Sequence, residues 1–372
     1  MKEQENKLYD IFLVTQLGIE SIAEKELRLK FPHLTDYEVC TGGILLYSIN
    51  LSNCVSLQHQ MRTTTRILLR FYETKVRDLP KLYNKCKKLP WNQYFIGSIP
   101  KINIKSKSSR LFDDRKIESA ISGAIREYQE ANAVKKKVLE TYKDHKCELY
   151  IRIENDHATF SLDLTGQRMD LRSDKPFSDK APLRSTIAAA MTCACIDKLE
   201  AIRNIYCPMA GTGTLTKEFQ NFYRPIKRKF SYMKSPLFET LSFKYLEGPE
   251  DTLSNLSFSS SDLDQASLEA MSKNLIEGKV HKEDFYNVKD LQEKTLIIVN
   301  PPYNKRVKYD SSPQNFIKRF SEHLQTLSPE IACIIHPHRF KLKGYEQQVI
   351  GPINNGGIKT YLSILSKQNR QR

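Results

Sequence analysis

The sequence predicts an α/β protein built from two parts with different patterns. After residue 180, segments typical of buried strands alternate with amphipathic helices, which indicates a parallel, doubly wound sheet. Before residue 166, short strands and helices alternate with a hairpin pattern, which indicates an α+β part. A chain of 372 residues has room for two or three domains, so both parts can hold a core of their own.

Hydrophobic spacing gives the elements of the first part. We expect strands over residues 8–16, 39–49 and 101–108, the second interrupted at Gly42–Gly43, helices over 18–31 and 51–69, and a hairpin over 149–166 that turns at Asn155–Asp156. The pattern changes at three places, which divide the chain into residues 1–60, 61–166, a linker over 167–180, and 181–372. Trp91 is expected in a core or between domains.

The second part repeats a strand, a turn and a helix. We expect a helix over 181–199, a strand, glycine loop and helix over 201–219, a strand, acidic turn and helix over 256–275, and strands over 295–303 and 331–337. Ligands bind beyond the carboxyl ends of the strands in such a sheet. The chemistry is therefore expected in this part.

Positive charge is concentrated in one stretch of the chain. The net charge is +15, and residues 61–140 hold 19 basic and 8 acidic side chains. Such a block neutralises phosphates, so we expect it to bind a nucleic acid, with Lys101, Lys105, Lys107 and Arg110 among the contacts. Charge alone also fits an ordinary solvated surface.

Several classes of protein are excluded or disfavoured by composition. A hydrophobic content of 40% is too high for a disordered chain. The sequence has no apolar run long enough to span a membrane and no apolar signal segment at its start, so we expect a cytoplasmic protein. Its eight cysteines form no C-x-x-C pair, so we expect reduced core thiols and no metal site.

Three motifs follow predicted strands of the second part. The first is the glycine loop Cys207–Leu215, whose backbone could approach a ligand, although it lacks the pattern of a dinucleotide or triphosphate loop. The second contains Asp262, suited to bind ribose hydroxyls, and Asp264, which fits either a ligand contact or a helix N-cap. The third is Asn300-Pro301-Pro302-Tyr303, which offers amide and carbonyl acceptors for an exocyclic amine and a ring to stack on a base.

Together these motifs resemble the class I methyltransferases that use S-adenosylmethionine (AdoMet) to methylate exocyclic amines. The whole chain resembles their THUMP-domain branch, which makes N2-methylguanine in RNA, and is most similar to the first half of the bacterial 23S rRNA guanine-N2-methyltransferases. The resemblance also includes Thr15–Glu20, Glu24–Leu27, Met61–Arg62, Arg66–Leu68, Asp163–Gly166, Leu171–Arg172 and Ala181–Ala189.

This resemblance implies three domains along the chain. It implies a ferredoxin-like module over residues 1–60, a THUMP RNA-binding domain over 61–166 and a Rossmann-like methyltransferase domain over 181–372. AdoMet is the implied cofactor, RNA the implied partner, and rRNA the RNA it favours over tRNA. The sequence does not determine the oligomeric state.

The resemblance also assigns roles to individual residues. The implied cofactor residues are Thr186, Met209, Gly211, Gly213, Asp262, Asp284 and Phe285, with Asp262 on the ribose and Asp284 on the adenine amine. The implied catalytic residues are Asn300, Pro301, Pro302 and Tyr303, which hold the target base. Asp284 also fits an ordinary loop acid.

Cys207, in the glycine loop, is one of the positions at which the chain departs from the family. Cys207 stands where the family usually has Asp, which implies weaker AdoMet binding because a charge-assisted hydrogen bond is lost. Three alternatives stay open: methylation of guanine N2 in tRNA, of adenine N6 in DNA, or a decayed enzyme that only binds RNA. His336 and His338 fit surface residues or RNA contacts of a loop, and they also fit residues that reach the site.

Overall fold

The computed structural model describes residues 7–143, 145–172, 183–239, 241, 253, 255–302 and 312–368. Within these residues the chain forms two mixed seven-stranded sheets, one in each part predicted from the sequence. The α/β class is confirmed.

The N-terminal sheet has the strand order β2-β3-β1-β4-β7-β6-β5. Its strands are β1 (Tyr9–Thr15), β2 (Tyr37–Cys40), β3 (Gly43–Ile49), β4 (Thr64–Lys75), β5 (Lys101–Lys107), β6 (Glu148–Glu154) and β7 (His157–Asp163). The accompanying helices are α1 (Glu20–Lys30), α2 (Leu51–Gln60), α3 (Leu79–Cys86), α4 (Asp114–Ala131) and α5 (Lys136–Tyr142). All neighbouring strands are antiparallel except β5 and β6. The sheet continues across residue 60, because β1 pairs with both β3 and β4.

One predicted element of this part was wrong. The helix expected over residues 51–69 ends at Gln60, and β4 begins at Thr64. The run Thr63-Thr64-Thr65 is β-branched and loses side-chain freedom in a helix, whereas β4 pairs with β1 on one side and β7 on the other. Pairing with both neighbours outweighed the helical spacing of the apolar residues.

The C-terminal sheet has the order β10-β9-β8-β11-β12-β14-β13. Its strands are β8 (Asn204–Cys207), β9 (Ser257–Asp262), β10 (Lys279–Lys282), β11 (Thr295–Val299), β12 (Ile331–His336), β13 (Tyr345–Asn355) and β14 (Ile358–Lys367). The helices α6 (Ser185–Cys195), α7 (Thr214–Gln220), α8 (Gln265–Asn274) and α9 (Pro313–Leu327) connect or precede them. Strands β8 to β12 are parallel, and β14 runs antiparallel to β12.

The strand order places a crevice between β8 and β11. The chain proceeds from β8 outward through β9 to β10 and then returns to β11 on the other side of β8. At such a reversal the connecting segments diverge, which leaves a cleft at the carboxyl ends of the two strands. The predicted motifs all follow strands at this edge.

The two parts of the chain share cores at their junction. Ile226, Phe230 and Tyr232, which follow α7, are buried in the hydrophobic core of the N-terminal sheet. In return, Ile19 and Ile22 at the start of α1 are buried in the core of the C-terminal sheet. Each half therefore contributes buried side chains to the hydrophobic core of the other half.

The eight cysteines are all free thiols, and Cys40 alone among them is not buried. In the described residues, no three or more His, Cys, Asp or Glu side chains form a group that could hold a metal ion. Across the same residues, no helix has the length and apolar character needed to cross a membrane. Trp91 is fully buried in the N-terminal core, where its indole N–H donates to the carbonyl of Cys86.

Candidate active site

The glycine loop lies between β8 and α7, beside the crevice. Gly213 has a φ of +81° and forms the N-cap of α7. A Cβ at Gly213 would lie 2.8 Å from Cγ of Met271 on α8, so glycine allows the two helices to approach closely. Met209 also has a positive φ, +52°, which costs a non-glycine residue about 1–2 kcal/mol. Strain of this kind is concentrated at functional sites.

Asp262 holds the glycine loop against the end of β9. One carboxylate oxygen accepts a hydrogen bond from the Gly211 amide at 2.8 Å, and the other accepts from the Asp264 amide at 3.0 Å. Each carboxylate oxygen can accept a second hydrogen bond, so Asp262 still has acceptor capacity for a ligand. Asp264 is the N-cap of α8 and accepts from the Ser267 amide at 2.8 Å.

Further polar contacts join the glycine loop to α8 and join α7 to β9. The Asn274 amide donates to the carbonyl of Thr212 at 2.9 Å, and Thr216 and Ser260 are joined through their hydroxyls at 2.8 Å. These supporting residues were not singled out from the sequence, because each contact joins segments at least 44 residues apart. No local pattern reveals such pairs.

Asn300 follows β11 directly, on the opposite side of the crevice from the glycine loop. Ile297 pairs with Tyr206, and continuing that register places Asn300 at the level of the glycine loop. Asn300 and Pro302 are half-buried and Pro301 is buried. Tyr303, predicted to stack on the base, lies outside the described residues, as do Ala181 and Pro182.

Asp284 and Phe285 follow β10 and differ in exposure. Asp284 is half-buried and accepts a hydrogen bond from the Tyr286 amide at 3.0 Å. Phe285 is buried and packs its ring against Phe320 and His323. Both residues lie at the same edge of the sheet as Asp262, because β10 pairs with β9.

Thr186 and Cys207 are both fully buried beside the loop elements. Thr186 lies in the first turn of α6, which packs against α7, and its hydroxyl has no hydrogen-bond partner among the described residues. Burial raises the pKa of the Cys207 thiol to about 12, so it carries no charge near neutral pH. The last residue of β8 therefore supplies no anion.

The interpretation of His336 as a surface residue was wrong. His336 ends β12 and is buried between rings, with Phe316 and Phe340 at centroid distances of 6.1 and 5.2 Å. Its Nδ1 accepts a hydrogen bond from the His338 amide at 3.0 Å. Burial lowers the pKa of His336 to about 4, with a further contribution from His338, so the ring is neutral. The sequence His-Pro-His-Arg is typical of a loop and did not reveal this aromatic cluster.

The basic side chains predicted to bind RNA lie on the N-terminal sheet. Lys101, Lys105 and Lys107 are exposed and alternate along β5, the edge strand, so they point to the same face. Arg110 is exposed in the loop that follows. Lys101 and Lys107 lie 3.7 and 3.9 Å from Glu148 and Glu154. Exposed pairs of this kind contribute little stability and leave the cations accessible.

Two protein families match the chain, one in each part. The THUMP domain family matches residues 76–163, and the family described as RMKL-like, methyltransferase domain, matches residues 172–349. The chain combines a THUMP domain with an RMKL-like methyltransferase domain. The site between β8 and β11 lies within the methyltransferase domain.

Individual relatives agree with this domain organisation. The chain is 26% identical to "Putative RNA methyltransferase slr0064" of Synechocystis sp., over 93% of this chain and 94% of that protein. It is 26% identical to the ribosomal RNA large subunit methyltransferase K/L of Psychromonas ingrahamii, over 80% of this chain but 41% of that longer protein. The fold superposes on "SMU.472, a putative methyltransferase complexed with SAH" with a TM-score of 0.76 at 20% identity, covering 98% of this chain and 100% of that one.

Proposed function

We propose that this protein is an AdoMet-dependent methyltransferase that places a methyl group on the exocyclic N2 amine of a guanine in RNA, with ribosomal RNA as the substrate. The observation that carries the proposal is the crevice where the glycine loop with Asp262 faces Asn300-Pro301 across β8 and β11. The solved relative in complex with S-adenosylhomocysteine and the relatives named as RNA methyltransferases support it.

The glycine loop, β9 and the helix α6, which packs against α7, offer groups that fit AdoMet. The Thr186 hydroxyl is a buried polar group without a partner in the described residues, and Asp262 retains acceptor capacity for ribose hydroxyls. A Cβ added at Gly211 would meet no described heavy atom within 4 Å, so there is open space beside the loop. Bound AdoMet would supply an electrophilic methyl group on a positively charged sulfur.

The role of the chain itself is to orient the amine. The N2 amine of guanine is a weak nucleophile because its lone pair is delocalised into the ring. In the proposed complex, the Asn300 side-chain oxygen and the Pro301 carbonyl accept its two hydrogens, which directs the nitrogen lone pair at the methyl. Positioning of this kind can supply most of the rate enhancement. The target base must be unpaired or flipped out to enter the crevice.

Cys207 is a departure from the family that bears on AdoMet binding. The resemblance implies a carboxylate at this position, where the amino group of AdoMet would otherwise find a negative partner. Because the buried thiol is neutral, we expect AdoMet to bind more weakly than in relatives that keep the carboxylate. A catalytically decayed RNA-binding protein is the alternative that this feature favours.

Replacement of Asn300 tests the catalytic role. We expect Asn300→Ala to lower kcat roughly 100-fold or more, the size of effect seen when one transition-state hydrogen bond is lost. AdoMet and RNA dissociation constants should stay close to those of the wild type. Asn287→Ala, an exposed asparagine of the same domain, is the matched control and should keep full activity. Wild-type kcat in Asn300→Ala would refute this role.

The substrate is tested by labelling several nucleic acids in parallel. Unmodified 23S rRNA, tRNA and duplex DNA would each be incubated with isotopically labelled AdoMet, and the labelled nucleoside identified by mass spectrometry. N2-methylguanosine in rRNA is the expected product. Label in tRNA would change the substrate, and label in DNA adenine would overturn the RNA assignment. Absence of both label and AdoMet binding would favour the decayed enzyme.

A further inference from the structure

Phe112 is the most exposed large hydrophobic side chain among the described residues. It is 79% exposed, compared with 59% for Leu263, the next in rank. Its neighbour Leu111 is buried in the N-terminal core, so the loop turns one apolar residue inward and presents the other to solvent. The exposed ring is therefore accessible to a ligand.

The loop that carries Phe112 is held in place on both sides. The Arg110 amide donates to the Asp156 carboxylate at 2.9 Å, and the Asp156 amide donates to the Ser109 hydroxyl at 3.1 Å. The Ser106 hydroxyl donates to the carbonyl of Leu111. On the other side, Asp113 is the N-cap of α4. Because the loop is already ordered, binding through Phe112 would lose little conformational entropy.

Cations surround this loop along the chain. Lys105 and Lys107 lie on the exposed edge strand before it, and Arg110 is exposed two residues before Phe112. Arg77 pairs with Asp156 at 3.0 Å and offsets the negative charge of that carboxylate. Proteins that bind single-stranded nucleic acid combine exposed aromatic side chains with cations, because the rings stack on bases and the cations contact phosphates. Phe112 brings an exposed ring to this cation-rich segment.

We propose that Phe112 is a base-stacking residue of the RNA-binding surface, on which an unpaired nucleotide stacks while Lys107 and Arg110 contact its phosphates. The inference rests on the proposed function, since it needs RNA as the substrate. Stacking on Phe112 would make binding selective for unpaired over paired RNA, which charge alone does not do. The faces of a base inside a duplex are covered by the neighbouring bases and cannot stack on a side chain.

Binding of a single-stranded oligoadenylate tests the inference. We expect Phe112→Ala to weaken binding about 5- to 150-fold, the range observed for the loss of one stacked base. Phe112→Trp should bind as tightly as the wild type, whereas Phe112→Leu should behave as Phe112→Ala. This contrast separates stacking from general hydrophobic contact. Binding of the same oligoadenylate paired with oligouridylate should not change in any of these variants.

Two controls make the outcome specific. Ile276→Ala, a half-exposed apolar residue of the methyltransferase domain, should leave binding unchanged. Lys107→Gln should reduce the salt dependence of binding, whereas Phe112→Ala should keep it, because only the former removes a charge. If the wild type binds RNA and Phe112→Ala binds equally well, the inference fails and the proposed function stands. If the wild type binds no RNA, both fail.

Discussion

Glu218 is a buried carboxylate that joins the two halves of the molecule. It lies on α7, one turn after the glycine loop, and accepts hydrogen bonds from Arg62 at 2.9 Å and from Arg172 at 2.9 Å. The three side chains are 4% exposed or less. Burial alone would raise the pKa of Glu218, but Arg172 and Arg62 outweigh it and hold the pKa below its usual value. All three groups are therefore charged in the interior.

Removal of the Glu218 charge would leave two arginines buried without their carboxylate. We expect Glu218→Gln to lower the free energy of unfolding by about 3–5 kcal/mol, as for other broken buried pairs. Glu322→Gln is the matched control, because its partner Lys318 lies 3.9 Å away on an exposed helix face and such pairs contribute about 0–1 kcal/mol. Urea unfolding of both variants measures the difference. Equal losses in the two variants would contradict the role of Glu218.

Single residues differ in how far the sequence reveals them. Asp264 was expected as either a ligand contact or an N-cap, and the structure shows the N-cap. Arg62 and Arg172 belong to segments that resemble the THUMP branch, but their shared partner Glu218 was not expected. The pairs join residues 156 and 46 positions apart, and their meeting depends on how the two halves pack. Local pattern carries no information about such a contact.

At the scale of elements, the glycine loop depends on the contact between α7 and α8. Gly213 combines a positive φ with a Cβ position 2.8 Å from Met271 and 3.2 Å from Leu275. The loop is tied to β9 through Asp262 and to α8 through Asn274. A change at Gly213 therefore moves the loop relative to both elements.

Gly213→Ala tests the close approach of the glycine loop to α8. We expect it to weaken AdoMet binding at least about tenfold, because a misplaced loop loses well-aligned hydrogen bonds, and to leave RNA binding unchanged. Gly97→Ala is the matched control: its φ is +92°, but a Cβ there meets nothing within 4 Å. Calorimetric titration with AdoMet measures both variants. Gly97→Ala should leave AdoMet binding unchanged, and wild-type AdoMet affinity in Gly213→Ala would contradict a role for the contact with α8.

The elements themselves were largely predictable. β11 matches the apolar run before Asn300, and the hairpin turns at Asn155–Asp156 as expected, with positive φ at both residues. The helix over residues 51–69 failed at its second half because the spacing of apolar residues there fits both a helix and a central strand. Strands β13 and β14 were not predicted, since Gly351-Pro352 and Gly356-Gly357 interrupt the apolar pattern.

At the scale of the whole molecule, the two sheets are joined by segments of each half that enter the core of the other half, and by the buried ion pairs of Glu218. The segment after α7 enters the N-terminal core through Ile226 and Phe230. His59 donates a hydrogen bond from Nδ1 to the Ile226 carbonyl at 2.9 Å, and its Nε2 is hydrogen-bonded to the Tyr232 hydroxyl at 2.8 Å. Lys30 is buried and donates to the carbonyl of Phe222 at 2.7 Å. Unfolding of one half would expose these groups of the other.

We therefore expect the two halves to unfold in one cooperative transition. Trp91 is the only tryptophan and lies in the N-terminal core, so its fluorescence reports on that half alone. Hydrogen exchange of the amides in β11 and β12 reports on the methyltransferase half. Along a urea series the two probes should have coincident midpoints, which is the test of two-state behaviour. Separate midpoints would show that the junction does not couple the halves, and Glu218→Gln should then leave the separation unchanged. If the midpoints coincide, Glu218→Gln should shift them apart, because it removes the ion pairs that join Glu218 on α7 to Arg62 and Arg172.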